Sequence, residues 1–561
     1  MIPYKKIVLI AAPLFTLSVS CSKLDEKLGS TLTAAQTTTA LGSGGTALLL
    51  NAAYADLAGP FSSQDQVFSL MENSTDEALV PTRGGDWDDN GVWRVLHAHT
   101  WNADHQYVLN VFNSLNKINF DATNVLGFNP TKSQAAEARF IRAYALYTLL
   151  DLYGQFPFRN PGDNLLNAPK VYNATEGIAF IINELKASLT DIPAGNPNTM
   201  ANADAIKTLL MKCYLNKGAF INRATPTFDA ADMAEVIRLG NEIINSNKYS
   251  YTPNYFDNFN VTNGTRSKEI VWAYPNTSGV STNHAGVEAR WNMTLHYNSY
   301  TPANPNAGWN GFSTISEFYS SFNTTAAATA FGPVDTLWDT RLGGRRSSDP
   351  TATAASGLRP GFLVGQQYNE KGQLLHDRKW DTSGGKTPDI NTHLLSYTPA
   401  IAANQIETGD NLEVTGIRVV KYVPDYTDNG KYYGGPAGNW LMLFRYPDVV
   451  LMVAEAKQRT GDAAGALTLV NGIRTARGAA TLATLPLVNT ANVDDPNTLL
   501  AERGRELYWE GVRRTDLIRF GVYLKPWGLK PTDDAKNLLF PVPNQALAAN
   551  PNLKQNPGYT K

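Results

Sequence analysis

The run LAERGRELYWEGVRRTDLIRFG, from Leu500 to Gly521, constrains this chain more than any other stretch. It is dense in helix formers, and Leu507, Val512, Leu517 and Ile518 follow a period near 3.6 residues, so the spacing predicts one long helix. Glu502, Glu506 and Glu510 fall four residues apart on one face, where they repel each other unless cations are supplied. Within the helix, Glu510 can meet Arg514 and Arg513 can meet Asp516. From the preceding helices, Arg445, Arg474 and Arg477 are the candidate partners. Glu506 and Glu510 could form an acid/base pair, but a charge array on a helix is more often an ion network, here one that pins the last helix to its neighbours.

The rest of the chain supplies such neighbours. Helical spacing is expected over Thr46 to Leu57, Asp104 to Asn119 and Gln134 to Tyr153, the last apolar almost all round and therefore central. Three amphipathic stripes follow, on Ile178 to Leu189, Ile206 to Tyr214 and Met233 to Ile244. Trp440 to Thr460 and Ala463 to Arg477 form a further pair, with Gly461 ending one helix and Asp462 capping the next. Paired helices with short turns predict a mainly α fold of tetratricopeptide-like helical hairpins, although the repeat consensus is degenerate. From Tyr249 to Gly438 the helical period disappears and turn signals multiply. This stretch reads as a large irregular, loop-rich insertion with short strands near Glu269 to Ala273 and Gly416 to Val423.

The N-terminus is a targeting segment. Lys5 and Lys6 precede an apolar run, Ile7 to Leu17, too short to stay in a bilayer, and Ser18 and Ser20 lead to Cys21. This pattern is that of a lipoprotein signal over residues 1–20, with Cys21 acylated; Ser18 stands where such signals more often carry Leu. A plain secretory signal is the alternative, and it would leave Cys21 an odd thiol in an oxidising compartment. Residues 21–45, rich in Thr and Gly, read as a tether. The second cysteine, Cys213, lies on an apolar stripe and reads as a small buried hydrophobe.

Three blocks resemble the SusD/RagB outer-membrane nutrient-binding lipoproteins of Bacteroidetes-type bacteria: NWLMLFRYPDVVLMVAEAKQRTGD (Asn439 to Asp462), ERGRELYWEGVRRTDLIRFG, and the tail LLFPVPNQALAANPNLKQNPGY (Leu538 to Tyr559). The resemblance implies a single body over residues 46–561, with a scaffold at about 46–248 and 439–521, a ligand-binding insertion at about 249–438 and a tail at 522–561. It implies a non-catalytic protein, anchored in the outer membrane at the cell surface through Cys21, that binds glycan and passes it to a SusC-like TonB-dependent transporter. SKLDE after Cys21 resembles the surface-export tags of such lipoproteins.

The residues themselves narrow the chemistry. The formal net charge is −2, so no basic surplus points to nucleic acid. His-Glu-x-x-His, Gly-x-Ser-x-Gly, phosphate-cradling and Cys-x-x-Cys motifs are missing, and no cofactor is expected. His97, His99 and His105 could ligate zinc, but lacking a matched acidic residue they read as structural, and no metal is expected.

Two aperiodic, aromatic-rich segments remain. Thr75 to Trp101 joins Arg83, Asp86 and Asp88 with Trp87, Trp93 and Trp101, followed by Asn102; the insertion carries Trp291, Tyr297, Tyr300 and Trp309, besides Trp338 and Trp380. Aromatics stack on the apolar face of a pyranose while Asp, Asn and Arg take its hydroxyls, so the two segments are expected to converge on one shallow glycan site. Adjacent aspartates do not define the two-acid separation of a glycosidase, yet a lipid-anchored glycoside hydrolase stays open. A protein-only tetratricopeptide-like scaffold is the third reading, favoured if the aromatics are buried.

Overall fold

The computed structural model describes residues 44–280, 285–297, 299, 308–322, 339–343, 360–367, 374–377, 394–401, 412–424, 436–489 and 491–560. The predicted targeting segment with Cys21, most of the predicted tether, Tyr300, Trp338 and Trp380 lie outside the described residues. Residues 46–561 form one compact unit.

Twelve helices carry the argument: α1 (Gly45–Ala55), α2 (Val67–Glu72), α3 (Val92–His97), α4 (Gln106–Gly127), α5 (Lys132–Tyr153), α6 (Ala174–Asp191), α7 (Ala203–Ile221), α8 (Ala230–Ile244), α9 (Tyr446–Arg459), α10 (Ala463–Ala476), α11 (Leu499–Leu507) and α12 (Arg513–Arg519). From α4 to α10 each helix packs on the next, and α9 closes on α8 although some two hundred residues of chain lie between them. Local chemistry starts these helices well. Thr131 and Gln134 form a capping box on α5, Asn173 and Glu176 another on α6, and Asn202 and Asp229 cap α7 and α8, each worth about 1 kcal/mol. Gly154, with φ of 70°, closes α5 in the left-handed conformation that glycine alone adopts without strain.

The central place of α5 follows from its apolar circumference: Phe140, Ile141, Leu146, Leu149 and Leu150 are fully buried. Each contributes roughly 1.5–3 kcal/mol relative to exposure. Cys213 is likewise fully buried, as its apolar stripe implies. Strands are few and short: β1 (Gly84–Trp87), β2 (Ile270–Tyr274), β3 (Gly361–Leu363), β4 (Arg418–Val420) and β5 (Leu441–Arg445) are the ones used below. β2 pairs antiparallel with β5, and β3 with β4.

Three expectations change. Trp440 to Thr460 is not one helix, because Leu441–Arg445 pairs with Ile270–Tyr274 and α9 starts only at Tyr446, with Pro447 in its first turn, where no amide donor is needed. Thr75 to Trp101 is not loop throughout, since α3 lies within it. Leu500 to Gly521 is two helices, broken where Trp509 adopts φ of 58° and Gly511 φ of 73°. A left-handed tryptophan needs external support. Glu77 provides it, accepting from the Trp509 amide through Oε2 at 2.9 Å and from the Trp509 indole through its carbonyl at 3.0 Å, while Glu72 accepts from the Gly511 amide at 2.5 Å.

The three glutamates are neutralised from outside their helix, as their repulsion requires. Glu506 accepts from Arg445 Nη1 at 2.6 Å and Arg477 Nη2 at 2.8 Å; Glu502 from Arg474 at 2.6 Å and Arg341 at 2.7 Å; Glu510 from Arg445 Nη2 and Lys421 Nζ, each at 2.6 Å. Glu269, next to β2, shares Arg445 and Arg477. Burial by itself would raise the Glu506 carboxyl, but Arg477, Arg445 and Arg341 outweigh it and hold the group down at about 2. The same cations serve Glu506 and Glu510, so this array is a network inside the body and not an acid/base pair in a cleft.

The two pairs expected within the helix do not form: Glu510 lies in the break and is taken by Arg445 and Lys421, and Arg513 and Asp516, both on α12, each have other partners. Arg514 donates to the Leu538 carbonyl and Arg513 pairs with Asp76 at 2.6 Å. Asp516 is held by Arg503 and Arg519.

Candidate functional site

The chain from Arg83 to Gly91 is the most contorted of the described residues. Arg83, Trp87, Asp89 and Asn90 all have φ between 41° and 62°, and Gly91 has 80°. Non-glycine residues in this region each cost on the order of 1–3 kcal/mol, and such strain persists where surrounding contacts over-determine it. Here they do. Arg83 is 4% exposed, and its guanidinium donates to the carbonyls of Gly311 at 3.0 and 3.1 Å, Leu412 at 2.6 Å and Thr415 at 2.5 Å, and to Ser313 Oγ. Leu79 exchanges both backbone hydrogen bonds with Ser313. Arg418, fully buried on β4, donates to the carbonyls of Thr415 at 2.6 Å and Glu413 at 2.9 Å and to Asn310 Oδ1 at 2.9 Å.

Three distant parts of the chain, 79–94, 291–297 with 308–314, and 412–418, are thereby stapled into one surface. The Trp87 indole N–H donates to the Trp309 carbonyl at 2.7 Å, and its ring packs edge-on against Trp93 and Phe312. The ring lies over Gly311, where a Cβ would stand 2.3 Å from Cε2, so only glycine admits it. Tyr297 donates its hydroxyl to Asp86. Its ring stands 5.2 Å from that of His296, whose Nε2 is 2.6 Å from Glu413 Oε1. Burial pushes the Tyr297 phenol up, and Asp86 and Glu413 push it further. Trp87, Tyr297 and Trp309 are half-buried; Asp86, Asp88, Asp89 and Asn90 are exposed. Asp88 pairs with Arg94 at 3.0 Å, and Asp89 accepts from the Trp93 indole at 2.6 Å.

The predicted site residues thus separate by position. Asp86, Trp87, Tyr297 and Trp309 are brought together, with Asp88 alongside. Arg83 does not face a ligand, because its donors are taken by backbone carbonyls. Trp93, Trp101 and Trp291 are 2%, 4% and 2% exposed and cannot stack on a sugar where they lie. Trp101 belongs to the contact with the C-terminal tail, donating to Tyr559 Oη at 2.7 Å and packing 4.5 Å from Phe540. Asn102 is exposed beside it and accepts from the Asp104 amide at 3.0 Å as a turn former. Tyr300 lies outside the described residues.

Sequence reasoning did not reach Arg94, His296, Asn310, Glu413 or Arg418. No spacing ties Glu413 to Asp86, more than three hundred residues earlier.

The histidines are structural. His97 lies between the carbonyls of Ala78 and Gly528 at 3.0 and 2.9 Å, His99 between Asp533 and the Ser74 carbonyl, and His105 accepts from the Tyr107 amide. Burial lowers His99 to about 4 despite Asp533. Among the described residues no group of three or more His, Cys, Asp or Glu is placed to hold a metal ion, and no helix is long and apolar enough to cross a membrane.

The sequence profile of the SusD family matches residues 238–536, more than half of the chain. The chain belongs to the SusD family. Starch-binding protein SusD of Bacteroides thetaiotaomicron is 25% identical over 516 residues, 88% of this chain and 85% of that protein. SusD-like protein P38 of Formosa agariphila is 36% identical over 129 residues, 21% of this chain and 24% of that protein. Among solved structures, a SusD superfamily protein of Parabacteroides distasonis superposes with a TM-score of 0.65 at 17% identity, covering 92% of this chain and 98% of the other. A surface glycan-binding protein A of B. thetaiotaomicron, solved with laminarihexaose, gives 0.63 at 16% identity over 92% and 99%. The SusD fold therefore extends over almost the whole chain, and it is mostly helical with only small strands, as the sequence predicts.

Proposed function

We propose that this SusD-family protein binds glycan without hydrolysing it, holds it at the cell surface through a lipid on Cys21, and delivers it to a SusC-like TonB-dependent transporter. The observation that carries the reading is the surface formed by Trp87, Tyr297 and Trp309 with Asp86 and Asp88 beside them, kept in place by strained backbone. Aromatic faces beside carboxylates suit the alternating apolar faces and hydroxyl edges of a sugar chain. A relative named for starch binding and a structural neighbour solved with laminarihexaose support the ligand class. The leader and Cys21 support the anchor.

The platforms are few and half-buried, which bounds the affinity. Stacking one sugar face hides about 40–60 Å² of apolar surface, worth roughly 1–1.5 kcal/mol. Two or three such faces give about 3–4 kcal/mol before hydrogen bonds and the cost of association, which corresponds to a Kd near 1 mM. Weak binding suits hand-over, because a tethered protein presents glycan to its transporter at high effective concentration.

Calorimetry of the purified protein against a broad glycan panel, with the same mixtures assayed for new reducing ends, tests the reading. Retention of at least one oligosaccharide without cleavage is the expected result. Cleavage would replace it with a glycoside hydrolase, and no binding even at glycan concentrations about tenfold above that Kd would leave a protein-only scaffold.

A further inference from the structure

We infer that this site selects glycans free of acidic groups and disfavours sulfated or uronate-bearing ones. The inference rests on the glycan-binding reading above and adds to it a ligand class fixed by charge.

The rim of the site is built from carboxylates. Asp86, Asp88 and Asp89 are exposed within four residues of one another, all around Trp87. Glu413 comes close to Asp86 through a pair of rings: it is bonded to His296, Asp86 is bonded to Tyr297, and the two rings are 5.2 Å apart. Both carboxylates act on the Tyr297 phenol after burial has raised it. An anionic sugar laid on Trp87 and Trp309 therefore meets negative charge beside them.

The guanidinium groups close to this rim offset part of its charge but do not offer their donors to a ligand. Arg83 and Arg418 are buried and spend their donors on the carbonyls of Gly311, Leu412, Thr415 and Glu413. Arg94, the basic side chain of the rim among the described residues, is held by Asp88 at 3.0 Å. Two like charges about 4 Å apart in water repel by an amount equal to on the order of a fivefold loss in affinity per contact, and salt reduces it. A protonated amino sugar gains by the same attraction.

Matched derivatives of one polysaccharide separate charge from linkage. Whichever neutral glycan binds in the panel is converted to a sulfated form and to an aminoethyl form of similar bulk, and all three are titrated into the full-length protein at about 20 mM and about 200 mM salt. The expected result is sulfated binding at least fivefold weaker than neutral in low salt, a smaller gap in high salt, and aminoethyl binding equal to or tighter than neutral. D86N/D88N should bring the sulfated affinity to within about twofold of neutral. Sulfated binding as tight as neutral at low salt, or an aminoethyl form weakened as much as the sulfated one, overturns the inference while leaving glycan binding intact. Absence of binding by every neutral and charged member of the panel overturns the binding reading itself, and this inference falls with it.

Discussion

The indole of Trp87 and the carbonyl of Trp309, 222 positions apart in the chain, meet across 2.7 Å. That bond aligns two half-buried tryptophans at one surface, and Gly311 makes room for it. Gly311→Ala would place a methyl 2.3 Å from the Trp87 ring and drive the ring out of position. The expected outcome is a loss of oligosaccharide affinity of about tenfold, with destabilisation in the range of about 1–3 kcal/mol typical of overpacking. Unchanged affinity by calorimetry would show that Trp87 is not a platform.

Trp309 allows a test with less strain. It is half-buried, so Trp309→Ala removes ring surface without emptying the core. Binding of a hexasaccharide should weaken by about 1–1.5 kcal/mol, while a monosaccharide that spans one platform changes little. Trp87→Phe keeps a ring and deletes the indole donor, a change of about 1 kcal/mol on stability. Equal losses for both ligand lengths would place Trp309 outside an extended site.

Much of this was legible beforehand because it is periodic. Helices α4 to α8 and α10 announce themselves by apolar spacing and caps, and repulsion along Glu502, Glu506 and Glu510 names its own remedy in Arg445, Arg474 and Arg477. What periodicity cannot carry was missed. The helix break at Trp509 depends on Glu77 and Glu72, over four hundred residues earlier, and helical spacing runs through it without interruption. β5 was read as helix because LMLFR is apolar on both faces, as a buried strand is, and only its pairing with β2 decides. In the site, residue type suggested sugar contacts for Arg83, Trp93, Trp101 and Trp291, but burial is a property of the fold. Arg83 and Arg418 shape the surface from beneath, a role that composition does not distinguish from ligand contact.

Glu506 ties the helical scaffold together. It receives Arg341, Arg445 and Arg477 with no exposure to water, so Glu506→Gln leaves an excess of buried guanidinium charge. The expected destabilisation is about 3–5 kcal/mol, seen as a lower denaturant midpoint, with unchanged glycan affinity in the folded fraction. Lost binding at unaltered stability would move Glu506 into the site.

The proposed anchor makes location depend on Cys21 and not on the fold. Cys21→Ala should yield unacylated protein in soluble fractions, and the natural chain is expected to sediment with membrane. Membrane association of the variant, measured by fractionation and metabolic lipid labelling, would remove the anchor from the proposal.

Two buried glutamates give the stability opposite slopes in pH, and substitution separates them. Arginines hold folded Glu506 at about 2, below its ordinary 4.5, so the stability it contributes is complete above 4.5 and lost as pH falls from 4.5 towards 2. The advantage of the natural protein over Glu506→Gln should shrink across that window. Glu72 behaves in the reverse sense. Burial raises it from 4.5 to about 7, against lowering contributions from Glu77, the Gly511 amide, Arg290 and Lys421. Its folded form binds the proton more tightly than the unfolded chain does, so its contribution is complete below 4.5 and lost as pH rises from 4.5 to 7. Glu72→Gln, which cannot ionise, should therefore gain stability relative to the natural protein over that rise, by about 1–3 kcal/mol. The measurement is urea denaturation of the natural protein and both variants at intervals from about pH 2 to 8. A difference that is flat in pH, or one that falls as pH rises, would mean that Glu72 ionises normally and that the left-handed turn at Trp509 and Gly511 is held by a carboxylate instead of a carboxylic acid.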